Sequence, residues 1–173
     1  IIITFFSIFK IIGYRNASNL GENIGKIFGP LFRSSHVIQK NLENLNDSYS
    51  HNEKKNIIKN MWGNYGRIFA EYMYLEKFRN NVLSSNIEIN GQKILDEIKS
   101  KKEPVIFVSG HFNNFELMAM HLEKSGINLA AIYRPLNNKF LNPLMEKIRK
   151  NYICKNQIKK GIAGTKEILK YFK

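Results

Sequence analysis

The 173 residues are enough for one domain with a real core, and 43% apolar with 12% aromatic content excludes a disordered chain. A net charge of +13 asks for an acidic partner: nucleic acid, an anionic membrane surface, a phosphorylated lipid or an acidic carrier protein. The single cysteine, Cys154, excludes an internal disulfide framework, suits a reducing compartment and reads as a small buried hydrophobe.

The chain opens on Ile1-Ile2-Ile3-Thr4-Phe5-Phe6-Ser7-Ile8-Phe9-Lys10-Ile11-Ile12, apolar all round with one charge. This run is shorter than the ~20 residues that span a bilayer, and no signal-peptide cleavage pattern follows it. The residues themselves leave open a membrane-contacting segment over 1–15, as the tail of an anchor or as an interfacial helix, and a buried helix; residues 16–173 are expected to form one domain. From Ala17 to Phe32 apolar residues recur at helical spacing, at Leu20, Ile24, Ile27, Phe28 and Leu31, and Pro30 closes the run. Val37 to Leu45 predicts a short second helix. Ser50-x-x-Glu53 is a capping box that starts a long amphipathic helix carrying Ile57, Ile58, Met61, Trp62, Tyr65, Ile68, Phe69 and Tyr72, whose aromatics read as core.

The second half alternates. Ile87-Glu88-Ile89 predicts a strand ending at Asn90-Gly91, Gln92 to Lys99 a helix, Val105 to Val108 a buried strand, and Asn113 to Glu123 a helix. Leu129 to Tyr133 predicts another strand, Lys139 to Lys150 a helix, and Gly164 to Phe172 a last helix. Such alternation argues an α/β fold: amino-terminal helices, then strands and helices around a mixed, partly parallel sheet. Lysines 147, 150, 155, 159, 160, 166 and 170 make the tail basic, as a solvated face or over anionic headgroups.

Chemistry concentrates at Ser109-Gly110-His111-Phe112-Asn113-Asn114-Phe115-Glu116. On one helix His111 and Glu116 would lie about 140° apart. His111 must therefore precede the helix, with Asn113 as its N-cap and Glu116 at its third position. A carboxylate there can fold back to the imidazole, fix its tautomer and let it act as general base toward a hydroxyl, so that the acceptor itself attacks in a direct acyl transfer. Asn113-x-x-Glu116 is equally a capping box, in which the glutamate only bonds a backbone N–H. In α/β sheets ligands gather at the carboxyl ends of strands, and both His111 and Arg134 follow such ends. Arg134, between Tyr133 and Pro135, suits a bidentate clamp on a phosphate or a developing oxyanion, with a surface role as the alternative.

Gly110 to Leu117 resembles the GHxGNWE-type block of the bacterial lipid A biosynthesis acyltransferases, the lauroyl/myristoyl branch of the lysophospholipid acyltransferase superfamily with its HxxxxD/E motif. Three further stretches resemble that family in order: Asn60-Met61-Trp62-Gly63-Asn64-Tyr65-Gly66-Arg67 with Glu71, Ile132-Tyr133-Arg134-Pro135-Leu136-Asn137-Asn138, and the helix Leu144 to Arg149. The likeness runs from about Leu20 to Phe172. Asn113 stands where the family often has glycine. Family members are longer and this chain begins without methionine, so it is expected to be a fragment lacking the carboxyl-terminal part.

The resemblance implies transfer of a fatty acyl chain from an acyl carrier protein thioester to a hydroxyl of a lipid A precursor, at the cytoplasmic face of the bacterial inner membrane. It implies His111 and Glu116 as the catalytic dyad, substrate contacts from Arg134, Asn114 and Arg149, no cofactor or metal, and an anionic membrane surface rather than nucleic acid as partner. Two rivals remain open: another glycerolipid or lysophospholipid acyltransferase, and a non-catalytic basic domain that binds membrane or nucleic acid. Against nucleic acid, the chain has no zinc-ligand spacing, RNP-like strand or Gly-rich phosphate loop, and its lysines are dispersed.

Overall fold

The structure is a computed structural model that describes residues 2–45 and 48–172; Ile1 of the opening apolar run lies outside the described residues. The chain divides into two compact units, Ile1–Tyr74 and Leu75–Lys173.

The first unit is helical: α1 (Ile2–Ile12), α2 (Tyr14–Phe28), α3 (Ser35–Leu45) and α4 (His51–Glu71), with short 3₁₀ turns at Gly29–Leu31 and Tyr72–Tyr74. The expected capping box starts α4, where Ser50 Oγ accepts from Glu53 N and the Glu53 carboxylate accepts from Ser50 N at 2.8 Å. Helix α1 has two characters. Phe6 and Phe9 are buried against Phe69, with ring centroids 4.9 and 6.3 Å away, and the Tyr74 hydroxyl donates to the Phe9 carbonyl. Phe5, Ile8 and Ile11 of the same helix face solvent. No helix among the described residues is long and apolar enough to cross a membrane.

Helices α2 and α4 meet backbone to backbone. Gly21, Gly25 and Gly29 recur at every fourth position, the spacing that stacks residues on one helical face. Gly21 and Gly25 meet Gly66 of α4 and Gly29 meets the Trp62 ring; a methyl group on Gly25 would lie 2.2 Å from the Trp62 carbonyl oxygen and one on Gly66 2.0 Å from that of Gly21. No Cβ fits there. A polar seam runs beside this contact: Ser18 Oγ donates to Glu71 at 2.8 Å, and Arg67 Nη1 donates to Ser18 Oγ at 3.0 Å and Asn19 Oδ1 at 3.2 Å while its Nη2 pairs with Glu22. Burial and the buried Glu71 carboxylate push the Tyr14 phenol up, offset in part by Arg67. The Trp62 to Glu71 block thus joins α4 to α2. Of the aromatics read as core on α4, Tyr65 is half exposed and stands beside Trp62 at 5.9 Å, while the Trp62 ring itself packs on Gly29.

The second unit contains α5 (Leu75–Arg79), α6 (Gln92–Lys101), α7 (Glu116–Lys124), β1 (Ala130–Tyr133), α8 (Leu141–Tyr152), β2 (Asn156–Lys159) and α9 (Ile162–Ile168). Strands β1 and β2 pair in parallel, with Ala130 opposite Asn156 and Tyr133 opposite Lys159, and α8 makes the crossover that parallel pairing requires. Arg79 ties three helices together, pairing with Glu123 of α7 at 2.5 Å and donating to the Tyr152 carbonyl of α8 at 3.3 Å. Cys154 is fully buried, its thiol donating to Leu129 O at 3.1 Å, and burial pushes that thiol up.

The α/β class stands, with a two-stranded parallel sheet among the described residues. Three local expectations need correction. Among the described residues, Ile87–Ile89 and Val105–Val108 join no ladder, and Ile106 and Val108 are 72% and 90% exposed. An apolar run favours extended, buried backbone, but only a hydrogen-bonding neighbour makes it a strand, and β1 takes β2 as its partner. Asn156–Lys159, a mostly polar segment without strand periodicity, is a strand for that reason alone. Helix α7 begins at Glu116 rather than after an Asn113 cap.

Candidate active site

Residues 103–112 run without regular structure, and the turn into α7 is made by Asn113, whose φ of +45° lies in the left-handed region that glycine enters freely and asparagine tolerates best among the rest. That backbone accounts for an asparagine where the resembled family often carries glycine. Phe115 N donates to Asn113 O at 3.0 Å and Leu117 N to Asn114 O at 3.1 Å, so the chain tightens into the helix two residues later than an Asn113 cap would allow.

Glu116 is therefore the first residue of α7, and its carboxylate reaches across to α8. Arg149 donates to Glu116 Oε1 from Nε at 2.8 Å, with Nη2 also at 2.8 Å, and both side chains are largely buried, Arg149 at 15% and Glu116 at 8% exposure. The Arg149 guanidinium carbon sits 5.9 Å from the centroid of the Tyr133 ring, in cation–π range. His111 is exposed and lies on Phe115, ring centroids 4.2 Å apart at 51°. Among the described residues no hydrogen bond joins His111 to Glu116.

One pocket of about 570 Å³ is nevertheless lined by His111, Phe115, Glu116, Tyr133, Arg134 and Arg149. Four of the five residues singled out in the sequence thus meet at one cavity, and Asn114, half-buried, does not line it. Arg134 follows the carboxyl end of β1, exposed, and forms no ion pair among the described residues.

Sequence reasoning missed the residues that hold the Arg134 turn. The Tyr133 hydroxyl donates to Glu146 Oε1 at 2.6 Å, and Asn142 Nδ2 donates to the same oxygen at 2.8 Å. Asn142 Oδ1 accepts from Leu136 N at 2.7 Å. Burial and the Glu146 carboxylate push the Tyr133 phenol up to about 12, so it remains a donor at every physiological pH. The same bond, with that from Asn142, holds Glu146 below the usual carboxylate range. The i, i+4 spacing of Asn142 and Glu146 on a predicted helix was a readable signal; their partners on the β1 turn were not.

An exposed imidazole, a carboxylate and two guanidiniums line one cavity at the end of a parallel strand, groups whose chemistry allows proton transfer and the binding of an anion. A family model described as bacterial lipid A biosynthesis acyltransferase matches residues 1–170. The chain belongs to that family, and membership supports acyl transfer in lipid A biosynthesis. No curated protein and no solved structure matches it.

Proposed function

We propose that the protein moves a fatty acyl chain from an acyl carrier protein thioester to a hydroxyl of a lipid A precursor, with His111 as general base and Glu116 as its orienting carboxylate. The observation that carries this reading is the single pocket lined by His111, Glu116, Arg134 and Arg149. The acceptor oxygen attacks the thioester carbonyl while the imidazole takes its proton, giving a tetrahedral oxyanion. Collapse breaks the carbon–sulfur bond, and the imidazolium returns the proton to the departing thiolate, leaving an ester and a free carrier thiol. Glu116 must then turn part of its carboxylate from Arg149 toward the second ring nitrogen of His111, a tightening common when a substrate-free site fills. The test is the mass of the lipid made when the purified protein receives acyl carrier thioester and lipid A precursor. A product heavier by one acyl chain is expected; an unchanged acceptor would reject the reading.

Arg134 and Arg149 supply positive charge for the acceptor's phosphate or for the oxyanion. Arg134→Ala should lower kcat/KM on the order of 10-fold or more, the scale of a hydrogen bond to a charged group. Arg134→Lys should recover little, since it keeps the charge and loses the planar fork. Wild-type rates in both variants would reject a clamp role.

The same proposal puts the protein at the cytoplasmic face of the inner membrane, supported by the +13 charge and the exposed Phe5, Ile8 and Ile11 of α1. The protein should sediment with vesicles containing anionic lipid, and salt should weaken the electrostatic share. Ile8→Ser with Ile11→Ser, which leave the buried Phe6 and Phe9 in place, should release much of the rest. Equal binding to neutral and anionic vesicles would discredit the charge argument.

A further inference from the structure

The turn that carries Arg134 is anchored on both sides. Before it, the Tyr133 carbonyl accepts from Lys160 N at 2.8 Å, beyond the last pair of the ladder, and the Tyr133 hydroxyl is bound to Glu146. After it, Leu136 N is bound to Asn142, and Pro135 between the two anchors has a ring-locked φ. Both side-chain anchors stand on α8 one turn apart and are bonded to each other, so Glu146 is the hub of a closed path from Tyr133 through Glu146 and Asn142 to Leu136. The two guanidiniums of the pocket differ in consequence. Arg149 is committed to Glu116, whereas Arg134 projects from a fixed backbone with no ion pair among the described residues.

We propose that Glu146, assisted by Asn142, is a positioning residue: it presets the Tyr133–Leu136 turn so that Arg134 meets an anionic group of the substrate with its fork already aimed. Fixing the backbone beforehand removes ordering cost from the binding step, and a small displacement of a charged contact costs much of its strength. The inference rests on the reading of Arg134 as an anion contact, and the group it meets is a phosphate of the acceptor or the oxyanion of the transition state.

A double-mutant cycle in acyl transfer by the full chain tests it. Glu146→Ala should lower kcat/KM on the order of 10-fold in the wild-type background and cost nothing further in Arg134→Ala, because the preset turn then has no fork to aim. Glu146→Gln should keep most activity, since an amide oxygen accepts the same two bonds. A rise confined to the acceptor's KM identifies a phosphate, and a fall in kcat identifies the oxyanion. Should Glu146→Ala fail to fold, Tyr133→Phe removes only the 2.6 Å bond and enters the same cycle. Equal losses in both backgrounds would overturn the clamp while leaving the Arg134 reading in place. Full activity in Arg134→Ala would instead remove the anion contact, and with it the purpose of the clamp.

Discussion

His111→Ala should cost turnover on the order of 10²-fold or more, the usual effect of losing a general base, with the melting temperature close to wild type because the side chain is exposed and its described contact is one tilted ring pair with Phe115. Glu116 needs a subtler substitution. Its carboxylate neutralises the largely buried Arg149, so Glu116→Ala would combine a chemical loss with the cost of an unpaired buried charge. Glu116→Gln keeps a hydrogen-bonding oxygen for Arg149 and removes the charge that would stabilise an imidazolium. If Glu116 orients His111, the glutamine variant should lose most turnover with a far smaller change in melting temperature than Glu116→Ala. Wild-type turnover in Glu116→Gln would reduce Glu116 to the structural partner of Arg149 and leave His111 to act without a carboxylate.

The second large effect lies in the helical unit. Gly66→Val and Gly25→Val each push a branched side chain into backbone 2.0 to 2.2 Å from where the Cβ must go, and backbone cannot swing aside as a long side chain can. Overpacking of this kind costs about 3 kcal/mol, and the opposed helices must separate to relieve it. The Arg67 and Glu71 bonds to α2 would be lost with that separation, since they span the same contact. Denaturant midpoints followed by far-ultraviolet circular dichroism read the effect directly. Midpoints equal to wild type in both variants would show that α2 and α4 do not pack at glycine distance in solution.

The wording of residues 60–71 shows how a motif can be readable before its purpose is. Trp62, Gly66, Arg67 and Glu71 belong to a block that resembles the family, and in the structure their contacts are mechanical: the Trp62 ring packs on Gly29, Gly66 admits the backbone of Gly21, and Arg67 and Glu71 bind Ser18. The glycines at positions 21, 25 and 29 were visible in the sequence as well. An apolar-periodicity reading passes over them, since glycine carries no hydrophobic signal even where it makes the closest contact.

What the sequence determined by itself is local. Ser50 and Glu53 carry the cap of α4 in their own side chains, helical periodicity marked α2, α6 and α8, and the placement of Arg134 behind a short apolar strand followed from residues 129 to 135. The four ordered blocks identified the family that the comparison then gave for residues 1–170. The tertiary structure decided what depends on which distant segments meet. Asn156–Lys159 is a strand because it lies beside β1, while the more apolar Val105–Val108 joins no ladder among the described residues; a ladder is a property of two segments, and neither sequence alone contains it. Glu116 sits five residues from His111 but bonds Arg149, 33 residues on, since a helix beginning at Glu116 sends that carboxylate toward α8, where a guanidinium is already shielded from water. Tyr133 and Glu146 found each other in the same way: periodicity states which face of an element is buried, and packing alone states what lies against it.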